Sequence, residues 1–168
     1  MYTIFETPRL TLRRFTEADA PLVLLLNSDP AVLKYIHEPV LQTTEDALSI
    51  LRTHILPQYK INLGRWAIHT KADNTFIGWC GLKHLAETNE IDLGYRLLPE
   101  CWGQGFATEA AKHTLDYGLH ALNLQIITAR AKIENTASIK VLEKTGMQFL
   151  KNETVDDCSV KTYVALKR

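Results

Sequence analysis

The residues best suited to chemistry fall in one stretch, Glu90-Ile-Asp-Leu-Gly-Tyr-Arg-Leu-Leu-Pro-Glu-Cys-Trp-Gly-Gln-Gly-Phe-Ala-Thr-Glu109. Its first half reads as a strand ending near Leu98. Its second half turns tightly through Gly103 and Gly105 into a helix of small residues. At such a mouth several backbone N–H groups lack helical partners and sit at the positive end of the helix dipole. Glycine lets a ligand come close to the main chain, so the arrangement suits a pyrophosphate. The glycines alone fit equally well with a tight strand-to-helix turn that binds nothing. A dinucleotide fingerprint needs G-x-G-x-x-G and an acidic residue about 20 positions on. Here Gly103-Gln-Gly105 runs into Phe106, Ala107 and Thr108, and Asn123-Leu-Gln-Ile-Ile127 carries no acid. A Walker A loop needs Gly-Lys-Ser/Thr, and the chain has no such triplet.

On the strand, Glu90 and Asp92 share a face with Gly94 and Arg96, because strand side chains alternate. Carboxylates there serve as general bases or as plain solvated charges. Further along, Ser138 follows Asn135 by three and lies on the same helical face. Its hydroxyl can hydrogen-bond a leaving group or simply pack the helix start, and Asn135 also reads as an N-cap. His37 and Glu38 sit in a polar loop between the first helices, within reach of a cleft. His84 is an alternative base. His113 and His120 lie two helical turns apart with no third ligand at a recognised spacing, so no metal site is expected. Cys101 neighbours Glu100, whose charge opposes thiolate formation.

The elements that must hold these groups can be read in order. Leu10–Phe15 alternates as a half-buried strand does. Thr16 and Asp19 have capping-box spacing ahead of a helix through about Leu26, and Asp29-Pro30 starts a short helical turn. Thr43 and Asp46 repeat that spacing before Leu48, Leu51 and Ile55, with Pro57 expected to end or kink the helix. Strands are expected at Trp66–Ile68, Phe76–Leu82 and Glu90–Leu98, joined by spacers short enough for antiparallel neighbours. Ala107, Ala111, Thr114, Leu115, Gly118 and Leu122 mark one face of a long helix. Gln125–Ala131 reads as a buried strand, Asn135–Thr145 as a helix stopped by Gly146, and two strands close the chain. Hairpins followed by β-α-β-α-β-β imply an α/β fold, a mixed sheet with helices on its faces.

Composition narrows the classes further. A chain of 168 residues, 46% hydrophobic and 23% charged, is sized for one globular domain with its own core. Nineteen basic and nineteen acidic side chains cancel, which argues against a nucleic-acid partner held by phosphate neutralisation. The longest apolar run, Leu22–Leu26, is far short of a membrane span and reads as core. The first residues lack the pattern of a secretory signal. Cys80, Cys101 and Cys158 form no CxxC pair, which fits a reduced cytoplasmic compartment.

Taken together, these residues resemble the GNAT N-acetyltransferases, whose coenzyme loop reads Gln/Arg-x-x-Gly-x-Gly/Ala. Gly105-Phe-Ala107 matches its last half, while Trp102 stands at the Gln/Arg position. Trp-Gly-Gln-Gly-Phe-Ala-Thr-Glu-Ala is similar to the form in the ribosomal-protein N-terminal acetyltransferase branch. Glu6-Thr-Pro-Arg-Leu-Thr-Leu-Arg13-Arg14, Asp92-Leu-Gly-Tyr95 and Asn135 through Met147 resemble three further segments of that branch, in the same order.

The resemblance implies one GNAT domain over residues 1–168, with a mostly antiparallel, splayed sheet and helices on both faces. It implies acetyl-CoA as cosubstrate, no metal, and direct transfer to an amine of a protein N-terminus or a small molecule such as a polyamine, aminoglycoside or amino acid. A coenzyme-binding sensor without catalysis is the reading from another class. The assembly expected is a monomer or homodimer. By this resemblance Leu97 and Leu98 bind the pantetheine amides, Gly103, Gln104, Gly105, Phe106, Ala107 and Thr108 take the pyrophosphate, and Asn135 and Ser138 touch the pantetheine arm. A main-chain N–H near Leu97 is the expected oxyanion donor. Asp92 falls on the carboxylate position, with Glu90 as its companion, and His37, Glu38 and Tyr95 face the acceptor. The family's usual tyrosine acid is replaced by Leu142, which leaves Ser138 as the hydroxyl near the leaving sulfur. The +3 charge of residues 111–168 would favour the 3′-phosphoadenosine end.

Overall fold

The computed structural model describes all 168 residues, Met1–Arg168. Eight strands form one sheet: β1 (Thr3–Glu6), β2 (Leu10–Arg14), β3 (Gly64–Thr70), β4 (Phe76–Leu85), β5 (Glu90–Leu97), β6 (Ile126–Lys132), β7 (Gln148–Val155) and β8 (Cys158–Leu166). Their spatial order is β1-β2-β3-β4-β5-β6-β8-β7. Every neighbouring pair is antiparallel except β5 and β6. That parallel ladder has a single register pair, Asp92↔Thr128. The sheet is therefore splayed where β5 runs on toward Leu97, as expected for this fold.

Four helices cover it: α1 (Ala20–Asn27), α2 (Thr44–Ile50), α3 (Phe106–Asp116) and α4 (Thr136–Lys144). Thr43 caps α2 as the sequence predicts. Its Oγ1 accepts from Asp46 N at 3.1 Å, and its own N–H donates to Asp46 Oδ2 at 3.0 Å. Past α2 the backbone widens at Leu51–Ile55 and then tightens through Leu56–Ile61, a change of pitch around the missing N–H of Pro57. α3 ends earlier than its apolar face implies and continues as a wide turn, Tyr117–Ala121. At that turn Gly118 lies so close to β4 and β6 that a Cβ would stand 2.7 Å from Leu82 Cδ1 and 2.8 Å from Ile127 Cδ1. Asn135 caps α4 by accepting from Ser138 N at 3.2 Å, and Gly146 closes it with φ +88°.

The core runs through the whole sheet. Leu10, Leu12, Trp66, Ile68, Leu82 and Ile127 are essentially inaccessible. Trp66 meets Tyr117 edge-on with ring centroids 5.5 Å apart. In the Leu22–Leu26 run Val23 and Leu26 are buried, while Leu25 is 51% exposed. All three cysteines are free. No helix is long and apolar enough to cross a membrane.

Candidate active site

Strand β5 divides the site. Asp92, Gly94 and Arg96 lie opposite Lys83, Gly81 and Trp79 of β4, and Gly81 lies opposite Arg65 of β3, so these residues share one face. Leu93, Tyr95 and Leu97 point to the other face, toward α3 and α4. A cavity flanks each side.

On the α3/α4 side lies a groove of about 740 Å³, bounded by Tyr95, Leu97, the Gly103–Thr108 loop, Asn135, Ser138 and Val141. None of the six N–H groups from Gly103 to Thr108 donates to another group of the chain. Gly103 and Gly105 have φ of +73° and +80°, the left-handed region where glycine is free of strain. A Cβ at Gly103 would meet nothing within 4 Å. A helix mouth with six unpaired, outward amides is a cradle for a pyrophosphate, and these residues fit acetyl-CoA. Lys34, Lys140 and Lys144 stand along the same groove, the last two from the positively charged C-terminal third.

Sequence reading did not foresee what holds this loop. Glu109 sits in the first turn of α3, where its charge would oppose a bound anion. Its Oε1 accepts from Thr7 Oγ1 at 2.6 Å and Arg9 N at 2.9 Å, and its Oε2 accepts from Arg9 Nε at 2.6 Å. Burial pushes the Glu109 pKa up, but the bonds from Thr7 and Arg9 overcome this and hold it below the usual value. Arg9 also donates to Gln104 O at 2.9 Å and covers the Phe106 ring at 4.4 Å. The β1–β2 turn thus neutralises the acid and braces the cradle. An acid in the first turn of an anion-binding helix was the available signal, since it needs a cation beside it.

Tyr95 reaches α4, where its hydroxyl lies 2.6 Å from Ser138 Oγ. Burial drives the tyrosine pKa up to about 12, against the opposing bond to Ser138, so the phenol stays protonated at neutral pH. Leu98 departs from expectation. Its N–H donates to Ile77 O and its carbonyl accepts from Cys101 N, both at 2.9 Å. The Leu97 carbonyl accepts from the Trp102 indole at 2.9 Å. The Leu98 amide is thus committed within the chain, and the Trp that replaces Gln/Arg ties the loop to β5. Leu142 also differs, because it is buried in the core while Val141 faces the groove.

The second cavity, about 380 Å³, lies on the α1/α2 side and is lined by Asn27, Glu38, His54, Arg65, Trp79 and Arg96 among others. Arg96 is common to both cavities. Its Nη1 donates to Glu38 Oε2 at 3.1 Å and to Asn27 Oδ1. Asp92 sits on this face near Arg65, Arg130 and Lys83. Burial raises its pKa, with those three cations pulling the other way and Glu90 adding to the rise. Glu90 itself is bound to Arg130 at 2.9 Å and borders neither cavity. His37 turns away, its Nε2 2.8 Å from Cys158 Sγ. His84 meets Asn89 Oδ1 at 2.8 Å on the β4–β5 hairpin. The structure brings Asp92 and Glu38 to the α1/α2 side, and Tyr95, Ser138, Asn135 and the glycine loop to the α3/α4 side. His37, His84, Glu90 and Asp92 itself border neither cavity.

A family model for the acetyltransferase (GNAT) domain matches residues 9–148. The chain belongs to the GNAT acetyltransferase domain family. An uncharacterized N-acetyltransferase of Bacillus subtilis, YoaA, is 35% identical over 150 residues, spanning 88% of this chain and 84% of its own. Among solved structures, the ribosomal L7/L12 alpha-N-protein acetyltransferase RimL with coenzyme A superposes with a TM-score of 0.84 at 17% identity, covering 98% and 97% of the two chains. Spermidine N-acetyltransferase of Vibrio cholerae with CoA and spermine gives 0.80 at 20% identity, covering 96% and 97%. At such identities these two likenesses describe the fold alone. Two proteins named for such different acceptors share this acetyltransferase's architecture, so fold does not select the amine.

Proposed function

We propose that this acetyltransferase moves an acetyl group from acetyl-CoA directly to a primary α-amine, with a peptide or protein N-terminus as the first candidate. The observation that carries the reading is the pair of cavities on opposite sides of β5, meeting at Arg96. One offers six unpaired amides to a pyrophosphate; the other is lined by Glu38 and lies on the face of β5 that carries Asp92. Acetyl-CoA supplies the activated acyl group. The chain's own residues bind, orient and move protons around it.

Asp92 takes a proton from the incoming ammonium, directly or through one water. A carboxylate with a raised pKa is a better base than a solvated one. An α-amine has a pKa near 8, against about 10.4 for lysine, so this help is sufficient. The amine nitrogen then bonds to the thioester carbonyl carbon and the C–S bond breaks. The second amine proton balances the leaving thiolate. Ser138, hydrogen-bonded to the protonated Tyr95, is the hydroxyl on the coenzyme side positioned to donate to that sulfur.

A polyamine acceptor is disfavoured by the cations around the acceptor cavity, where Arg65, Lys83 and Arg96 outnumber Glu38. Three cysteines, none of them bridged, fit work in a reducing compartment. The test is thiol release from acetyl-CoA across N-terminal peptides, free amino acids, polyamines and aminoglycosides. Release with α-amines is the expected outcome. Coenzyme binding without turnover on any of them would mean a sensor in place of an enzyme.

A further inference from the structure

The acceptor cavity contains two guanidinium groups with incomplete hydrogen bonding. Arg65 and Arg96 both lie over the Trp79 ring, at 4.3 and 5.3 Å from its centroid. A Cβ on Gly94 would stand 3.0 Å from Arg65 Nη1, so the glycine in Asp-Leu-Gly-Tyr is what lets the guanidinium lie against β5. Arg65 Nη1 and Arg96 Nε are buried and have no hydrogen-bond partner. Arg65 forms no salt bridge; burial works against its charge, the nearby Asp92 carboxylate supports it, and the nearby Arg96 works against it. Two guanidinium groups held side by side repel, and an anion meeting their cavity-facing nitrogens offsets that repulsion.

The charges facing this space are Arg65, Lys83 and Arg96 against Glu38 and Asp92, with His54 at the wall. The balance remains positive even with Asp92 counted. Glu38 is half exposed, so its bond to Arg96 is a rim contact that a ligand can displace. The remaining wall combines apolar Phe15, Leu26, Leu41 and Ile55 with the amides of Asn27 and Gln58. A volume of 380 Å³ is at the small end of ligand sites, about right for one amino-acid residue.

We propose that this cavity selects acceptors in which the reacting amine carries a carboxylate a few atoms away, the carboxylate being held by Arg65 and Arg96. This rests on the acetyl-transfer reading above and names its substrate class. Glu38 and Asp92, on the same face, hold the ammonium while the arginines hold the acid. The carboxylate belongs either to a free amino acid or to an acidic first residue of a peptide.

The experiment is calorimetric titration of the CoA-saturated protein with glutamate, its diamide, a tripeptide beginning with aspartate, the same tripeptide beginning with asparagine, and spermidine. Each acid is expected to bind at least tenfold more tightly than its amide, and spermidine not measurably. Tight binding by glutamate alone identifies a free amino acid, and by the aspartyl peptide alone an N-terminus. Arg65→Gln should erase the acid-over-amide preference. Glu38→Gln, at an exposed position that does not endanger folding, should strengthen it severalfold. Equal binding of acids and amides, preference for spermidine, or an unchanged preference in Glu38→Gln overturns the proposal. Thiol release measured alongside separates the two claims. Acid-selective binding without any turnover defeats acetyl transfer and leaves the anion site standing. Turnover of spermidine alone keeps the transfer and defeats the site.

Discussion

The two sides of β5 both present positive potential, but they build it differently. On the α3/α4 side it comes from main-chain amides at Gly103–Thr108 and the dipole of α3, with Lys34, Lys140 and Lys144 along the groove, while Arg9 is spent on Glu109. On the acceptor side it comes from the side chains of Arg65 and Arg96, stacked on Trp79. The first arrangement needs only a contiguous loop. The second needs β3, β4 and β5 in register. A chain of zero net charge can therefore offer a polyanionic coenzyme a loop of amides with a few flanking lysines, and still keep a small cationic cavity on the other face of the strand.

The largest expected effect attacks the coenzyme side. Gly105→Val places a β-branched residue at φ +80° beside Arg9, so CoA affinity should fall by about 100-fold or more, about 2.7 kcal/mol, in a calorimetric titration. Unaltered affinity would remove the loop from the account.

On the other side, Asp92→Asn should lower kcat/KM by about 10² to 10⁴-fold with CoA affinity unchanged. The low-pH limb of the rate profile should disappear with it. Stability should move the opposite way. Burial raises the folded pKa of Asp92, so between the unfolded value of 3.8 and the folded one the native state binds more protons, and stability falls as pH rises. The Asn variant escapes that cost. It should melt higher than the parent at neutral pH, with the difference vanishing below pH 3.8.

A weaker perturbation reaches the coenzyme side from behind. Glu109→Gln removes the charge that holds Arg9, so KM for acetyl-CoA should rise by roughly tenfold, about 1.4 kcal/mol, while acceptor KM stays put. A matched rise in both would show that the two sides are not independent. The smallest effect belongs to neither. Thr43→Ala deletes the α2 cap at a cost of about 1 kcal/mol, lowering Tm by about 2–4 °C without changing the kinetics.

The same contrast explains what the sequence made legible. The glycine cradle, the Thr43 and Asn135 caps and the antiparallel β3-β4-β5 succession depend on neighbours within a few positions, so local pattern reveals them. The full span of β4, the early end of α3 at Gly118, and the Arg9–Glu109 clamp depend on contacts made across the sheet. Arg65 was passed over because a lone arginine beside Trp66 has no local signature; its meaning arises only when Gly94 and Trp79 are laid against it. His37 and Glu38 are adjacent in sequence, yet one turns to Cys158 and the other to Arg96. Spacing identifies such a loop as polar but not which residue faces the cavity.

The central claim is that acceptor and coenzyme bind together on opposite sides of β5 and react without a covalent enzyme intermediate. Initial rates of thiol release, measured over a matrix of acetyl-CoA and acceptor concentrations, test this most directly. The account predicts double-reciprocal lines that intersect, the pattern of a ternary complex. Parallel lines, indicating an acetylated enzyme, would contradict it.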